Sequence, residues 1–466
     1  MTALVLFGKG YHIQKYISLL EFFHCKVDFI TDNNIRMTEN MYHGIPMTAP
    51  SKLVDLDCRI IISCTYWKEI TDQLTQMGIA DKIISLWEFL KEAAAEKAAD
   101  IPKELPVNDK RKFCVDLYSS AVWGGAENWN YNMAKELAKT GNDVRIFANQ
   151  EIVIDEWTVE KEKHISIRRF LKEDCFADMV NDIIGQLPII FLNCFTEELF
   201  FAALAVKILY PDEIRIIDEV HLDLKQAYDL HVQFNDFVDS YICVSSKIKK
   251  ILNTAYGIQE KRLFFKEQPI ETNVSYQRSY CTDSHRAIRI GYAARLVKNQ
   301  KRADLLPVFI DKLEKFEIDY VFEIAGNGEE EDTIKRKIKE QGLQQKIRFL
   351  GHLDYSDMAD FWKRQDIYIN FSEYEGASLA MLEAMSFGCI PVVTDVSGVS
   401  DYIENGKSGC ICKVGDLEAM AEQIAEIYSQ RSLLKEYGEA ARNSVFSKCK
   451  KEDYAKALNQ WIGEIG

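Results

Sequence analysis

Strand and helix patterns alternate along most of this 466-residue chain, and this alternation constrains its fold more than any other feature. Short apolar runs typical of buried strands are separated by longer segments with the apolar spacing of helices. This order predicts parallel sheets with helices on both faces, the doubly wound α/β class. Because the chain is too long for a single hydrophobic core, we expect several such domains in series.

The alternation and the composition together divide the chain into five segments. Residues 1–92 predict a small Rossmann-like accessory domain, and residues 93–111, with a charged, alanine-rich stretch and two prolines, predict a linker. Residues 112–275 and 276–449 predict two larger Rossmann-like domains. Residues 450–466 have the apolar spacing of a terminal helix. Ligands of such sheets bind outside the carboxyl ends of the strands, so we expect a cleft between the two larger domains.

Charge and cysteine usage exclude several classes of protein. The net charge of −15 argues against a general nucleic-acid binder, because a phosphate backbone requires a dense basic surface. No stretch is apolar and uncharged for the length of a bilayer span, and the N-terminus lacks the basic region of a secretory signal, so we expect a cytoplasmic protein. The 12 cysteines show neither a CxxC pair nor a zinc-like spacing, so we expect reduced core residues and no metal.

The segment 371–393, FSEYEGASLAMLEAMSFGCIPVV, is the most specific part of the sequence. Ser378 occupies the N-cap position of a predicted helix that Gly388 ends. At 1.5 Å per residue, Glu383 lies about 7 to 8 Å along the axis from that cap, whereas Glu375 stays in the preceding loop. The free amides of the helix start lie between the two carboxylates and favour a phosphate group. The segment therefore predicts a binding site for an extended ligand such as a sugar nucleotide.

This segment resembles the signature of glycosyltransferase family 4, a family of retaining enzymes with the GT-B fold. That signature joins a Glu-x7-Glu pair to EGxxxxxxEAMxxGxPVV, and the resemblance covers residues 112–462. It implies a retaining, metal-independent hexosyltransferase that needs no cofactor and uses a nucleotide-sugar donor. The implied acceptor is a glycan or a lipid-linked hydroxyl in cell-surface polysaccharide or glycoconjugate synthesis. In this family the final helix, here 450–466, crosses back onto the N-terminal GT-B domain.

The resemblance also implies roles for the charged residues. Glu383 is expected to accept hydrogen bonds from the ribose, and Glu375 to bind the transferred sugar and stabilise its oxocarbenium-like transition state. Arg295 and Lys301, in the loop after a predicted strand, match the family's pair of cations on the diphosphate. The remaining donor contacts expected around the helix start are Gly376, Ala377, Ser378 and Leu379.

Three further positions match family elements, and each has a plain structural alternative. Gly124 and Gly125 form a strand-to-helix turn whose backbone can approach a phosphate, although an ordinary turn also uses glycine. His221 closes a predicted strand where the family often has a histidine on the transferred sugar; a structural histidine is the alternative. Gly326 belongs to a glycine turn that is either near the nucleotide or simply a turn.

Other activities remain open at this stage. Paired carboxylates also occur in hydrolases, about 5 to 10 Å apart across one bond, but a glutamate reserved for ribose has no place there. A sugar-nucleotide epimerase on the same fold is the closer alternative, and a non-catalytic nucleotide-sugar-binding module is another. Whether release of nucleoside diphosphate needs an acceptor separates the transferase from both. Base, sugar, acceptor and oligomeric state are not specified by the sequence.

The accessory domain carries Gly8 and Gly10 after its first predicted strand and Asp32 after its second. This pattern suggests a dinucleotide site, but Ile13 occupies the third glycine position of that fingerprint. The segment more closely resembles the small Rossmann-like domain that precedes some bacterial sugar acetyltransferases and holds a nucleotide sugar. A docking domain without a ligand is the remaining alternative.

Two features indicate a peripheral contact with the inner face of the membrane, where a lipid-linked acceptor would lie. One is the apolar set in SLWEFLKEAAAEK, and the other is the lysine cluster in SSKIKKIL. Ordinary packing and a solvated surface are the alternatives. The residues in question are Leu86, Trp87, Phe89, Leu90, Lys247, Lys249 and Lys250.

Overall fold

The computed structural model contains two compact units. The first comprises Met1–Val220, Lys225–Ile242 and Gln259–Leu263, and the second comprises His221–Leu224, Cys243–Ile258 and Phe264–Gly466. The described residues are 2–34, 40–97, 112–118, 125–149, 164–171, 174–193, 197–271, 276–281, 283 and 286–464. Most of the predicted linker and Gly124 lie outside them. The predicted domain boundaries stay predictions.

The first unit begins with a three-stranded parallel sheet. Its strands and those of a small hairpin are β1 (Ala3–Phe7), β2 (Phe29–Thr31), β3 (Met41–Tyr42), β4 (Ile45–Pro46) and β5 (Cys58–Ile62). The helices are α1 (Ile13–Phe22), α2 (Trp67–Gln76) and α3 (Leu86–Lys97), with 3-10 turns at Pro50–Leu53 and Ala80–Lys82. The strand order is β2-β1-β5, so the carboxyl ends of all three strands lie at one edge.

A seven-stranded sheet follows, as the alternation predicted. Its strands are β6 (Lys112–Leu117), β7 (Val144–Asn149), β8 (Ile165–Phe170), β9 (Ile189–Asn193), β10 (Ile214–Val220), β11 (Ser240–Cys243) and β12 (Leu263–Phe265). The helices are α4 (Gly125–Lys139), α5 (Phe176–Ile184), α6 (Glu198–Leu209), α7 (Lys225–Gln233) and α8 (Ser246–Thr254), with a 3-10 turn at Glu260–Arg262. The order is β12-β11-β10-β9-β6-β7-β8.

Helix α6 is buried on all its sides. Its sequence, ELFFAALAVKIL, is apolar all round, which is typical of a helix enclosed by protein. Helices α1 and α3 contact it, and the ring of Tyr16 lies 5.2 Å from that of Phe201. Residues 1–97 therefore share a hydrophobic core with the rest of the first unit.

The second unit is built on a six-stranded parallel sheet. Its strands are β13 (Ile288–Ala293), β14 (Tyr320–Ala325), β15 (Ile347–Gly351), β16 (Ile367–Asn370), β17 (Ile390–Thr394) and β18 (Cys410–Cys412). The helices are α9 (Leu306–Glu314), α10 (Glu331–Glu340), α11 (Tyr355–Arg364), α12 (Leu379–Ser386), α13 (Val399–Tyr402), α14 (Leu417–Ser429), α15 (Ser432–Lys448) and α16 (Lys451–Glu464), with a 3-10 turn at Ala303–Leu305. The order β15-β14-β13-β16-β17-β18 is that of a doubly wound dinucleotide-binding fold.

The predicted terminal helix is present as α16. It packs against Phe264 of the second unit through Tyr454 and Trp461, with ring centroids 5.6 Å and 5.1 Å apart. The expectation that this helix crosses onto the N-terminal GT-B domain stays a prediction.

Two other expectations concern cysteines and the membrane. The cysteines of the described residues are free thiols, and most are buried as expected; burial raises the pKa of Cys410 to about 12. Cys175 is exposed, so it is not the core residue that was expected. No described helix combines the length and apolarity that a membrane span requires. Leu86 and Leu90 are buried and Trp87 packs on Phe237, so ordinary packing accounts for these three residues.

Candidate functional site

The candidate site lies in the second unit, where the strand order reverses. Strands β13 and β16 are neighbours, but β14 lies on the far side of β13 and β17 on the far side of β16. The loops that follow β13 and β16 therefore diverge at the carboxyl ends of these two strands. Such a switch point is where open α/β sheets bind ligands. The loop after β13 carries Arg295 and Lys301, and the loop after β16 carries Glu375. Two motifs that are far apart in the sequence therefore meet.

Lys301 and Glu375 form a largely buried ion pair. The Nζ atom of Lys301 lies 2.5 Å from Oε1 of Glu375, and the hydroxyl of Ser372 lies 2.7 Å from the same oxygen. Glu375 is only 5% exposed, and a charge at such depth requires partners. The pair therefore fixes both side chains at the edge of the sheet before any ligand arrives.

Gln300 connects the two loops, and no pattern in the sequence predicted this role. Its Nε2 lies 3.5 Å from Oε2 of Glu375, its Oε1 accepts from Arg295 at 3.3 Å, and its carbonyl accepts from the amide of Glu373 at 2.8 Å. Its φ is 69°, a left-handed conformation that non-glycine residues rarely adopt. Such a conformation persists only where the surroundings hold it, which is common at binding sites. Arg295 itself is exposed and available to a ligand.

The loop that bears Glu375 is anchored by buried polar contacts. The side-chain oxygen of Asn370 accepts from the amide of Ser372 at 2.7 Å, and Thr394 donates to the Ser372 carbonyl at 2.7 Å. Because these groups are buried and hydrogen-bonded, the loop is held by directional contacts as well as by packing.

Gly376 is required by a close approach of the backbone. It is buried at a φ outside the left-handed region, and a Cβ there would collide with the carbonyl oxygen of His221 and lie 2.6 Å from Val244. The amide of Asp223 donates to the carbonyl of Glu375 at 3.1 Å. The segment that contains His221 therefore lies directly against the Glu375 loop, as its predicted role requires.

Helix α12 begins and ends as predicted. The Ser378 hydroxyl caps it by accepting from the amide of Met381 at 3.4 Å, while the neighbouring Ala377 and Leu379 are half-buried. Gly388 ends the helix with a φ of 75°.

Glu383 occupies a different environment from Glu375. It retains some exposed surface, yet its carboxyl group is enclosed by protein, and this burial raises its pKa to about 7 against the lowering effects of Trp362 and Lys451. Burial raises the pKa of Tyr368, and the charges of Glu375 and Glu383 raise it further. The two carboxylates thus differ in their partners: Glu375 pairs with Lys301, whereas Trp362 and Lys451 are the groups that act on Glu383.

This environment predicts a pH-dependent stability. The pKa of Glu383 is above its ordinary value of 4.5, so the folded state holds the proton more tightly, and the resulting stabilisation is lost as the pH rises from about 4.5 to 7. Between pH 5 and 8 the wild type should lose about 2 to 3 kcal/mol relative to Glu383→Gln, which cannot titrate. Urea unfolding at both pH values measures this. The exposed Glu422→Gln should track the wild type; a constant difference for Glu383→Gln would contradict the prediction.

Gly326 supports the Arg295 loop through the backbone. Its φ is 121°, and a Cβ there would collide with the carbonyl oxygen of Ala294. Next to it, the Leu296 amide donates to the Asn327 carbonyl at 2.8 Å. The glycine turn predicted near the nucleotide therefore packs against the loop that presents Arg295.

Gly326→Ala should destabilise the protein by about 2 to 4 kcal/mol, because the cost of backbone strain at a positive φ adds to the cost of overpacking against Ala294. Gly406 is the matched control, since its φ is 74° but a Cβ there meets nothing within 4 Å. Gly406→Ala should therefore cost only about 1 kcal/mol from backbone strain. Chemical unfolding of both variants measures the difference, and equal effects would show that the close approach to Ala294 does not matter.

The first unit holds the remaining predicted residues and a buried polar network. Gly125 begins α4 and is exposed, whereas Gly124 lies outside the described residues. Asp218 accepts from Asn193 at 2.6 Å and lies 2.7 Å from Nδ1 of His231. Burial alone would lower the pKa of His231, but Asp218 outweighs it and raises the pKa. The sequence assigned no role to this network, because its members come from separate elements.

Comparison with known proteins shows which enzymes this chain resembles. Residues 284–444, which span the six-stranded sheet, match the family model described as Glycosyl transferases group 1. N-acetyl-alpha-D-glucosaminyl L-malate synthase of Bacillus anthracis is 27% identical over 206 residues, 44% of this chain and 52% of that protein. Poly(ribitol-phosphate) alpha-N-acetylglucosaminyltransferase of Staphylococcus aureus is 28% identical over 176 residues, 37% and 34% of the two chains. The chain thus spans about half or less of the length of these curated relatives.

Solved structures agree on the fold. A mutant of S. aureus TarM in complex with fondaparinux, alpha-GlcNAc-glycerol and UDP has a TM-score of 0.63 at 13% identity, over 77% of this chain and 100% of that one. Anabaena HepE in complex with UDP and glucose has a TM-score of 0.63 at 16% identity, over 76% and 100%. The two Rossmann-like halves are those of the GT-B fold, and the family match with the curated relatives supports a glycosyltransferase.

Proposed function

We propose that this protein is a retaining, metal-independent glycosyltransferase that moves a sugar from a nucleotide-sugar donor to an acceptor hydroxyl. The observation that carries the proposal is the meeting of Lys301, Glu375 and Arg295 at the switch point of the six-stranded sheet. Two cations beside a buried carboxylate suit a ligand that is anionic at one end and becomes cationic at the reacting carbon.

The diphosphate of the donor binds to Arg295 and Lys301. As the bond between the anomeric carbon and the phosphate oxygen breaks, its electron pair stays on the oxygen, and the two cations stabilise the growing negative charge. Lys and Arg perform here the charge stabilisation that a metal ion provides in other transferases. No group of three or more His, Cys, Asp or Glu side chains in the described part of the chain is placed to hold a metal ion.

Glu375 faces the sugar and stabilises the positive charge that develops at its anomeric carbon. The acceptor oxygen attacks on the face that the diphosphate leaves, so the new bond keeps the configuration of the old one. The acceptor proton passes to the departing phosphate oxygen, which balances the step without a separate base. His221 contributes a contact to the same sugar, since its backbone lies against Gly376.

Glu383 accepts hydrogen bonds from the ribose hydroxyls in its ionised form. TarM and HepE were both solved with UDP, so we propose a UDP-sugar as the donor. The names of the two curated relatives direct the first test to UDP-N-acetylglucosamine.

We place the reaction in the cytoplasm, in the synthesis of a cell-surface polysaccharide or glycoconjugate, with a glycan or lipid-linked acceptor. Peripheral membrane contact through the lysines of α8 belongs to the same proposal. Lys247 forms an ion pair with Asp223 at 2.9 Å, so its charge is already partly engaged. Flotation with anionic liposomes tests this contact, and no recovery with the liposomes would remove it.

A panel of nucleotide sugars, assayed for nucleoside diphosphate release with and without glycan acceptors, tests the function. We expect release that depends on an acceptor, is unchanged by EDTA and gives a product with the anomeric configuration of the donor by NMR. Sugar interconversion without an acceptor would instead indicate an epimerase. Binding without any turnover would indicate a non-catalytic module.

A further inference from the structure

A cavity of about 440 Å³ in the first unit is lined by residues between Phe7 and Ile70. It lies at the carboxyl ends of β1, β2 and β5, the edge at which parallel sheets bind ligands. Its volume lies in the range of small-molecule sites. The lining residues used below are Tyr11, Asp32, Cys64, Tyr66 and Glu69.

The loop after β1 is not arranged as a phosphate cradle. The amide of Gly8 donates to the carbonyl of Thr31 at 2.8 Å, and that of Lys9 donates to Oδ2 of Asp32 at 2.9 Å. The other oxygen of Asp32 accepts from the amide of Asn34 at 2.8 Å. In a dinucleotide fold such amides would face pyrophosphate and the acidic residue would hold ribose. Here the amide of Lys9 binds Asp32, and the amide of Gly8 binds a carbonyl of the neighbouring strand.

Packing explains why Gly8 is a glycine. Its φ is 119°, and a Cβ there would lie 2.7 Å from Cβ of Cys64. The residue is therefore required by the contact between β1 and the segment after β5. The glycine pattern that suggested a dinucleotide site has a structural cause.

The carboxylates that line the cavity disfavour a diphosphate. Its described lining includes Asp32 and Glu69 but no lysine or arginine, although Lys225, outside the lining, forms an ion pair with Glu69 at 3.2 Å. A hydrogen bond from its own backbone amide and one from Lys225 lower the pKa of Glu69, so this group stays ionised near neutral pH. Carboxylates repel phosphate but accept hydrogen bonds from hydroxyl groups.

Two aromatic rings complete the cavity. Tyr11 and Tyr66 are 66% and 58% exposed, so their rings are accessible to a ligand in the cavity. Rings beside fixed carboxylates suit a sugar, which offers apolar C–H faces for stacking and hydroxyl groups for hydrogen bonding.

Polar contacts of Tyr11 and Lys15 connect the rim of the cavity to the edge of the seven-stranded sheet in the first unit. The Tyr11 hydroxyl donates to Oε1 of Glu197 at 2.9 Å, and Lys15 binds the other oxygen at 2.6 Å. Glu197 is the N-cap residue of α6, four positions after β9 ends. The rim of the cavity thus adjoins the carboxyl edge of the seven-stranded sheet, whereas the proposed function places the donor on the six-stranded sheet.

We propose that this cavity is a saccharide subsite that binds a neutral sugar unit of the acceptor glycan. Its assignment to the acceptor rests on the proposed function, whereas saccharide binding itself does not. The subsite would hold a part of the glycan remote from the reacting hydroxyl and so raise the affinity for longer acceptors.

Saturation-transfer NMR on the full chain tests the binding. The probes are neutral oligosaccharides of glucose, galactose and N-acetylglucosamine, together with UDP and UDP-N-acetylglucosamine. We expect at least one neutral oligosaccharide to bind, with a signal lost in Tyr66→Ala and kept in Tyr66→Phe, which retains the ring. Val54→Ala is the matched control, because Val54 is an exposed apolar residue of the same segment that does not line the cavity.

The outcomes are distinct. Loss of the saccharide signal in Tyr66→Ala alone supports the subsite even if no transferase activity is found. No Tyr66-dependent binding across the panel overturns it, as does UDP-N-acetylglucosamine binding that Tyr66→Ala abolishes. With an active enzyme, Tyr66→Ala should raise the acceptor KM about tenfold and leave the donor KM unchanged.

Discussion

Replacing Glu375 by glutamine should lower kcat by about a hundred- to a thousandfold. The substitution keeps the shape of the side chain but removes the negative charge that stabilises the developing cation, an effect of the size seen when one preorganised electrostatic group is lost. It also leaves the partly buried Lys301 without its partner at 2.5 Å. Initial rates of nucleoside diphosphate release at saturating donor and acceptor measure the effect, and the donor KM should change much less.

Glu373→Gln is the matched control for this prediction. Glu373 lies in the same loop but is exposed, and its contact with Arg302 is a long one of 3.4 Å. Its substitution should leave kcat within about twofold of the wild type, as is usual for an exposed pair. An unchanged kcat in Glu375→Gln would remove Glu375 from the site.

Glu383→Ala should weaken the binding of the donor nucleotide about ten- to a hundredfold. The carboxylate would accept two ribose hydrogen bonds, and the loss of charged hydrogen bonds of this kind costs about 1.5 to 3 kcal/mol. Calorimetric titration of UDP measures the affinity, and kcat at saturating donor should fall far less than in Glu375→Gln. Glu422→Ala, an exposed helical glutamate of the same unit, controls for the change of charge. Equal UDP affinity in Glu383→Ala and the wild type would refute the ribose role.

The parts of the site that depend on local chemistry could be predicted from the sequence. The cap at Ser378 and the end at Gly388 follow from the chemistry of helix ends, which involves only neighbouring residues. The meeting of Lys301 with Glu375 followed from a general rule about strand ends, since both residues come shortly after strands.

The parts of the site that depend on contacts between distant segments could not be predicted from the sequence. No periodic or compositional pattern marks Gln300. Its role depends on a left-handed backbone conformation, in which its side-chain amide contacts both Arg295 and Glu375. Gly376 was predicted as a donor contact, and its need for a glycine comes from the approach of His221, which is 155 positions away. The polar network around Asp218 likewise depends on side chains from three separate elements.

The burial of α6 has a consequence for how this protein can be divided. Phe201 packs edge-to-face against Tyr16 of α1, so an N-terminally trimmed protein that lacked residues 1–97 would present a phenylalanine-rich helix to water. Contiguous apolar surface of that kind promotes self-association. The accessory segment is therefore a structural part of the first unit that covers α6. A chimera in which this segment is exchanged must supply an apolar surface that packs against α6.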